Sequence, residues 1–194
     1  MLFQERIYSV LIVSMAEKFS ESLRAMLPVS KFEPIDTVKN ISAAKRAMFE
    51  RHYDFVFINS PLPDEFGDRF AIDICTSSNS IALMFVKNDI YDEVYAKSVD
   101  YGVLTLPKPT SMQVVSQSVQ MMCSIRERLR KLEKKTATIE DKIAEIRKVN
   151  QAKWILIEEL KMSEEDAHKY IERQAMDRCV SKREIAEGII KTYS

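Results

Sequence analysis

Glycine is scarce, with three in 194 residues, and nothing in the chain reads as a glycine-rich loop able to wrap a phosphate. Cysteine is scarce too. Cys75, Cys123 and Cys179 are far apart and odd in number, the pattern of reduced thiols rather than a disulfide framework or a metal cluster. The two histidines, His52 and His168, stand alone, and no nucleophile sits beside a base. Neither an enzyme nor any metal or cofactor is therefore expected. No signal peptide opens the chain and no apolar run approaches the length of a bilayer span, so no membrane partner is expected and the expected location is the cytoplasm. Excess charge is also lacking: 29 Lys+Arg cancel 29 Asp+Glu, which excludes a bulk electrostatic grip on nucleic acid but leaves room for a local patch. The cancellation is uneven, since residues 112–194 hold 17 basic and 14 acidic side chains and the remainder 12 and 15.

What is present begins with short apolar runs. Residues 7–13 (IYSVLIV), 32–36, 54–59 (DFVFIN), 81–86 (IALMFV) and 102–106 read as buried strands, and 19–27 and 41–51 show helical periodicity. Strands alternating with helices at this spacing predict βαβ units and a parallel sheet covered on both faces, an α/β flavodoxin-like fold of five strands. A site on such a fold lies at the carboxyl ends of the strands.

From Met122 apolar residues step by three and four: Met122, Ile125, Leu129, Leu132, Thr136, Ile139, Ile143 and Ile146, with Asn150 on the next a position. Charged residues, Arg126, Arg128 and Arg130 among them, crowd the other faces. A narrow stripe over about 42 Å of helix has too little domain to bury itself against, so it predicts a partner helix. The expected partner is a second copy, paired in parallel, with Thr136 weakening the seam and Asn150 able to set its register. The alternative is a helix folded back on its own domain.

The last part, from residue 150, reads as three short helices. Ser163 with Asp166, and Ser181 with Glu184, are helix-start signals of the capping-box kind. Ala167, Tyr170, Ile171, Gln174, Ala175 and Arg178 share one face, as do Ile185, Ala186, Ile189 and Ile190 on the next helix. Trp154 reads first as core filler between these helices and second as a platform for a splayed base. Read without any family, three amphipathic helices are equally a packing or dimerisation module.

Two resemblances give these parts a meaning. Ala152-Lys153, then Met162-Ser163-Glu164-Glu165-Asp166-Ala167 leading into Tyr170, Ala175-Met176 and Ile185-Ala186-Glu187 together resemble the ANTAR domain, the RNA-binding module of certain bacterial transcription antiterminators. The stretch Tyr53 to Ile58, the loop Pro61-Leu62-Pro63-Asp64 with Gly67, and Leu106-Pro107-Lys108-Pro109 resemble the receiver domain of two-component response regulators, over roughly residues 6–122. The receiver resemblance implies a metal-holding acid pair, a phosphoacceptor aspartate, a hydroxyl and a lysine at the strand ends. Here those positions carry Ser14 and Met15, Asn59, Val86 and Lys108, so only the lysine remains. A neutral amide is not a competent phosphoryl acceptor, and a hard cation lacks its carboxylates. Lys108 is expected to be a half-buried amine bonded to Asn59 or to backbone carbonyls, and the Lys108–Pro109 bond is a candidate for cis.

The chain is accordingly expected to hold a receiver-like domain without its phosphoacceptor (1–111), a coiled-coil helix (112–149) and an ANTAR-like three-helix domain (150–194). The ANTAR resemblance implies binding to paired hairpins in a leader RNA and relief of transcription termination. By that resemblance the RNA-binding residues are Ala152, Lys153, Ala167, Tyr170, Arg173, Ala175, Lys182 and Arg183, with the alanines acting sterically. Dimerisation is assigned to Met122, Ile125, Leu129, Leu132, Ile139, Ile143 and Ile146, and a regulatory protein or ligand is a further partner at the receiver-like domain. A DNA-binding response regulator ranks second, because helix two, the turn at Cys179-Val180 and helix three mimic a helix-turn-helix. A protein-interaction adaptor with a dimerising tail is the remaining alternative.

Overall fold

The computed structural model describes residues 6–193, so the extreme ends of the expected first and last domains lie outside the described residues. Its strands are β1 (Tyr8–Val13), β2 (Phe32–Val38), β3 (Phe55–Asn59), β4 (Ile81–Lys87) and β5 (Leu104–Lys108). They form one parallel sheet in the order β2-β1-β3-β4-β5. Interleaved with them are α1 (Glu17–Met26), α2 (Ile41–Glu50), α3 (Asp68–Ser77) and α4 (Tyr91–Ser98). Then come α5 (Met112–Leu160), α6 (Glu164–Arg178) and α7 (Lys182–Tyr193). This is the flavodoxin-like, doubly wound plan of receiver domains, followed by a long helix and a small helical domain.

The strands read as unbroken apolar runs because both sheet faces are buried. Successive side chains alternate sides. Leu11, Val13, Val56, Ile58 and Met84 meet Ile41 and Ala44 of α2, Phe70, Ala71 and Ile74 of α3, and Val94 of α4. Val10, Ile12, Phe55, Phe57 and Phe85 meet Leu23 of α1 and Val115, Val119 and Met122 of α5. The second core therefore needs the first turns of α5, and the first compact unit of the molecule runs to Leu129, beyond the expected boundary at 111.

That packing corrects part of the heptad reading. Met122 is fully buried in the sheet core and Leu129 packs against it, so both are committed within the chain. Arg126, expected on a solvated face, is buried as well; its Nε donates to Asp54 Oδ1 at 2.7 Å. The rest of the stripe is exposed: Ile125, Leu132, Ile139, Ile143 and Ile146 each keep at least 38% of their surface in solvent.

The second unit begins at Arg130. Its core is Ala152 and Leu156 of α5, Ala167, Ile171 and Ala175 of α6, and Ile185 and Ala186 of α7. No new helix starts at residue 150; the first of the three helices is the end of α5. Both serine caps form, with Ser163 Oγ accepting from Asp166 N–H at 3.1 Å and Ser181 Oγ from Glu184 N–H at 3.2 Å. The helix ends use left-handed residues that are not glycine, Lys161 and Cys179, each at φ 53°.

Candidate functional site

At the carboxyl ends of the strands, Asn59 closes β3 between β1 and β4. Its amide Nδ2 donates to Ser14 Oγ at 3.0 Å, and its Oδ1 accepts from Lys108 Nζ at 2.7 Å. Lys108 also donates to the Ser60 carbonyl. Burial, and then the charge of Lys87, holds the Lys108 ammonium below the ordinary lysine range. Lys108–Pro109 is cis. Val86 is fully buried and Met15 points to solvent, so neither touches this network. The sequence-predicted residues that meet are thus Ser14, Asn59 and Lys108. They form a small neutral-and-cationic chain of hydrogen bonds in which the amide is used at both ends.

The two aspartates nearest in sequence serve other purposes. Asp54 precedes β3 at the opposite end of the sheet, about 16 Å from Asn59 at 3.3 Å per residue. There it receives Arg126 and the Ser9 N–H. Asp64 sits over the start of α2, where its carboxylate accepts from the Ile41 and Ser42 N–H groups at 3.0 and 2.9 Å and from Ser42 Oγ. Those bonds, the Ile41 N–H first, pull its carboxyl down to about 2. The Asp54–Arg126 pair escaped the sequence reading, although Val115, Val119, Met122 and Arg126 share helical spacing and together mark the buried face of α5.

In the C-terminal helices the predicted RNA residues divide in two. Ala152, Ala167 and Ala175 are buried between helices, where they pack. Close approach of α5, α6 and α7 needs side chains of that size. Tyr170 is 39% exposed. Trp154 is 64% exposed, which corrects its reading as core filler. The cations are paired on their own domain: Lys153 with Glu164 at 3.1 Å, Lys182 with Glu172, Arg183 with Glu187 at 3.1 Å and Arg173 with Asp177 at 3.8 Å. The Lys153 side chain is only 17% exposed, so it offers RNA less than the other three cations do. The other pairs are surface pairs of little individual weight, and an arriving phosphate competes with the carboxylate.

Comparison with known proteins gives these helices a family. The ANTAR domain matches residues 137–190. Residues 137–190 form an ANTAR domain, and the chain is response-regulator-like. The ANTAR match begins inside α5, in keeping with the unbroken passage of that helix into the domain. The transcriptional regulatory protein PdtaR of Mycobacterium tuberculosis (strain H37Rv) is 26% identical over 143 residues, covering 72% of this chain and 68% of the relative. A two-component response regulator from Clostridium difficile superposes with a TM-score of 0.52 at 19% identity, over 60% of this chain and 96% of that one. The signal receiver domain of an HD domain-containing protein from Pseudomonas fluorescens Pf-5 gives 0.58 at 18% identity, over 68% and 96%. These structural likenesses establish the fold ahead of the ANTAR domain. Among the described residues, no helix is long and apolar enough to cross a membrane.

Proposed function

We propose that this protein is a cytoplasmic RNA-binding regulator of transcription antitermination, which grips paired hairpins in a leader RNA through its ANTAR domain. The observation that carries this reading is the ANTAR match over residues 137–190, on helices whose small buried alanines leave aromatic and basic side chains outside. Phosphate contacts supply affinity, from Lys182, Arg183 and Arg173, and bases exposed in hairpin loops supply specificity. The exposed stripe of α5, Ile125, Leu132, Ile139, Ile143 and Ile146, pairs two copies. Two ANTAR heads on one dimer then meet two hairpins on one RNA, and tethering raises the effective concentration of the second contact.

The receiver-like domain, in this reading, takes its input from a protein or small ligand instead of a phosphoryl group. An amide engaged by Ser14 and Lys108 has no carboxylate oxygen to attack a donor. The test compares the full chain on tandem-hairpin RNA and on duplex DNA at one salt concentration. Binding to hairpin RNA in preference to duplex is expected; preference for duplex would favour a DNA-binding regulator, and binding to neither an interaction adaptor. Incubation with a small phosphodonor and Mg²⁺ is expected to leave the mass of the protein unchanged.

A further inference from the structure

A glycine in the middle of α7 has no internal reason to be there. Gly188 lies well inside the helix, and glycine is the poorest helix former apart from proline. A Cβ placed on it meets no atom within 4 Å, so no neighbouring helix requires its small size, and it is not among the left-handed residues. It opens instead onto a groove of about 470 Å³ within the ANTAR domain. The same groove is lined by Tyr170, Gln174, Arg178, Glu184 and Tyr193. Both tyrosines are partly exposed, at 39% and 45%, while the aliphatic floor at Leu156 and Ile185 is buried. Arg178 contrasts with the cations of the previous sections: among the described residues it has no acid partner.

We propose that this groove holds one unstacked RNA base from a hairpin loop, with Tyr170 and Tyr193 as stacking platforms, Gln174 and Glu184 reading the base edge, and Arg178 on the adjacent phosphate. The lining favours a base over other occupants. Aromatic rings bind any base face, and a side-chain amide and a carboxylate reach its edge. The carboxylate only accepts, so the base that fits presents an N–H donor on that edge, and the same carboxylate repels a phosphate from the groove. Gly188 supplies the clearance. This inference rests on the RNA-binding reading and adds to it a residue-level site that none of the predicted RNA residues except Tyr170 occupies.

The experiment uses the full chain and a tandem-hairpin RNA selected on it from a pool with randomised loops. Gly188→Leu puts a side chain into the groove; it is expected to melt no lower than the parent and to bind at least ten-fold more weakly. Gly188→Ala should melt higher, with a smaller loss of binding. Tyr170→Ala is expected to lose ten-fold or more, within the range of one stacked base. On the RNA side, abasic substitution is scanned through the loops: one position should cost the parent ten-fold and cost Gly188→Leu nothing further. If the parent binds, and either Gly188→Leu binds equally well or every abasic position is neutral, the pocket is wrong while the RNA-binding reading stands. If no RNA is selected by the parent, both fall. Should Gly188→Leu fail to fold, the abasic scan on the parent decides, with one sensitive position supporting the pocket and none overturning it.

Discussion

Arg126 and Asp54 form an ion pair whose side chains are only 7% and 8% exposed, between α5 and the start of β3. Breaking such a pair strands a charge in the interior, so Arg126→Ala is expected to destabilise the protein by about 3–5 kcal/mol in urea denaturation. Asp64 makes a second prediction, through pH. Its carboxyl lies at about 2 in the folded chain against an ordinary 3.8, because the charged form is hydrogen-bonded at the start of α2. The folded value is the depressed one, so its contribution is complete above about 3.8 and is lost as pH falls from there through about 2. Titration of the Asp64 carboxyl carbon by NMR is expected to show that midpoint, and Asp64→Asn should remove the corresponding step from acid unfolding.

Helix α5 gives the next prediction. Leu132→Lys together with Ile139→Lys alters side chains that are about half exposed in the single chain, so the protein should stay folded by circular dichroism while light scattering reports monomers. Met122→Lys should behave otherwise and unfold the first unit, because that side chain is fully buried in the sheet core. The contrast shows what was legible in the sequence. The strands were, because a sheet buried on two faces demands continuous apolar runs. The helix starts were, because Ser163 and Ser181 carry the hydroxyl that caps them. The alanines were legible as packing residues, since close helices need small ones. The helix ends were not, because Lys161 and Cys179 adopt the left-handed conformation without the glycine that usually announces it. The first turns of α5 were misread because heptad spacing and the spacing of Val115, Val119 and Met122 coincide at Met122, and periodicity alone does not say whether a face meets its own domain or a partner. Trp154 was misread for a similar reason, as aromatic character fits a core and an exposed contact equally well.

At the scale of the whole molecule, the two compact units divide within α5, at Leu129 and Arg130. A truncation ending at residue 111 removes Val115, Val119 and Met122 from the sheet core and leaves Asp54 without Arg126. It is expected to be insoluble or molten, whereas one ending at residue 129 should unfold cooperatively; thermal melts of the two fragments check this. The balance of charge also acts at this scale. With formal net charge +0 for the chain, the proposed RNA binding has to come from local contacts, and its salt dependence should follow the number of phosphates those contacts neutralise.

The unbroken helix has an evolutionary consequence as well. Each residue added to or removed from α5 turns everything beyond it by about 100° around the helix axis, and carries the stripe of Leu132, Ile139 and Ile146 with it. Seven residues restore the direction to within about 20°. A gene encoding such a helix has a second reading frame laid over the codon frame, one with a period of seven amino acids. Length changes tolerated in this segment among natural relatives should therefore come in sevens, and an inserted single residue should be as damaging to pairing as a frameshift is to translation.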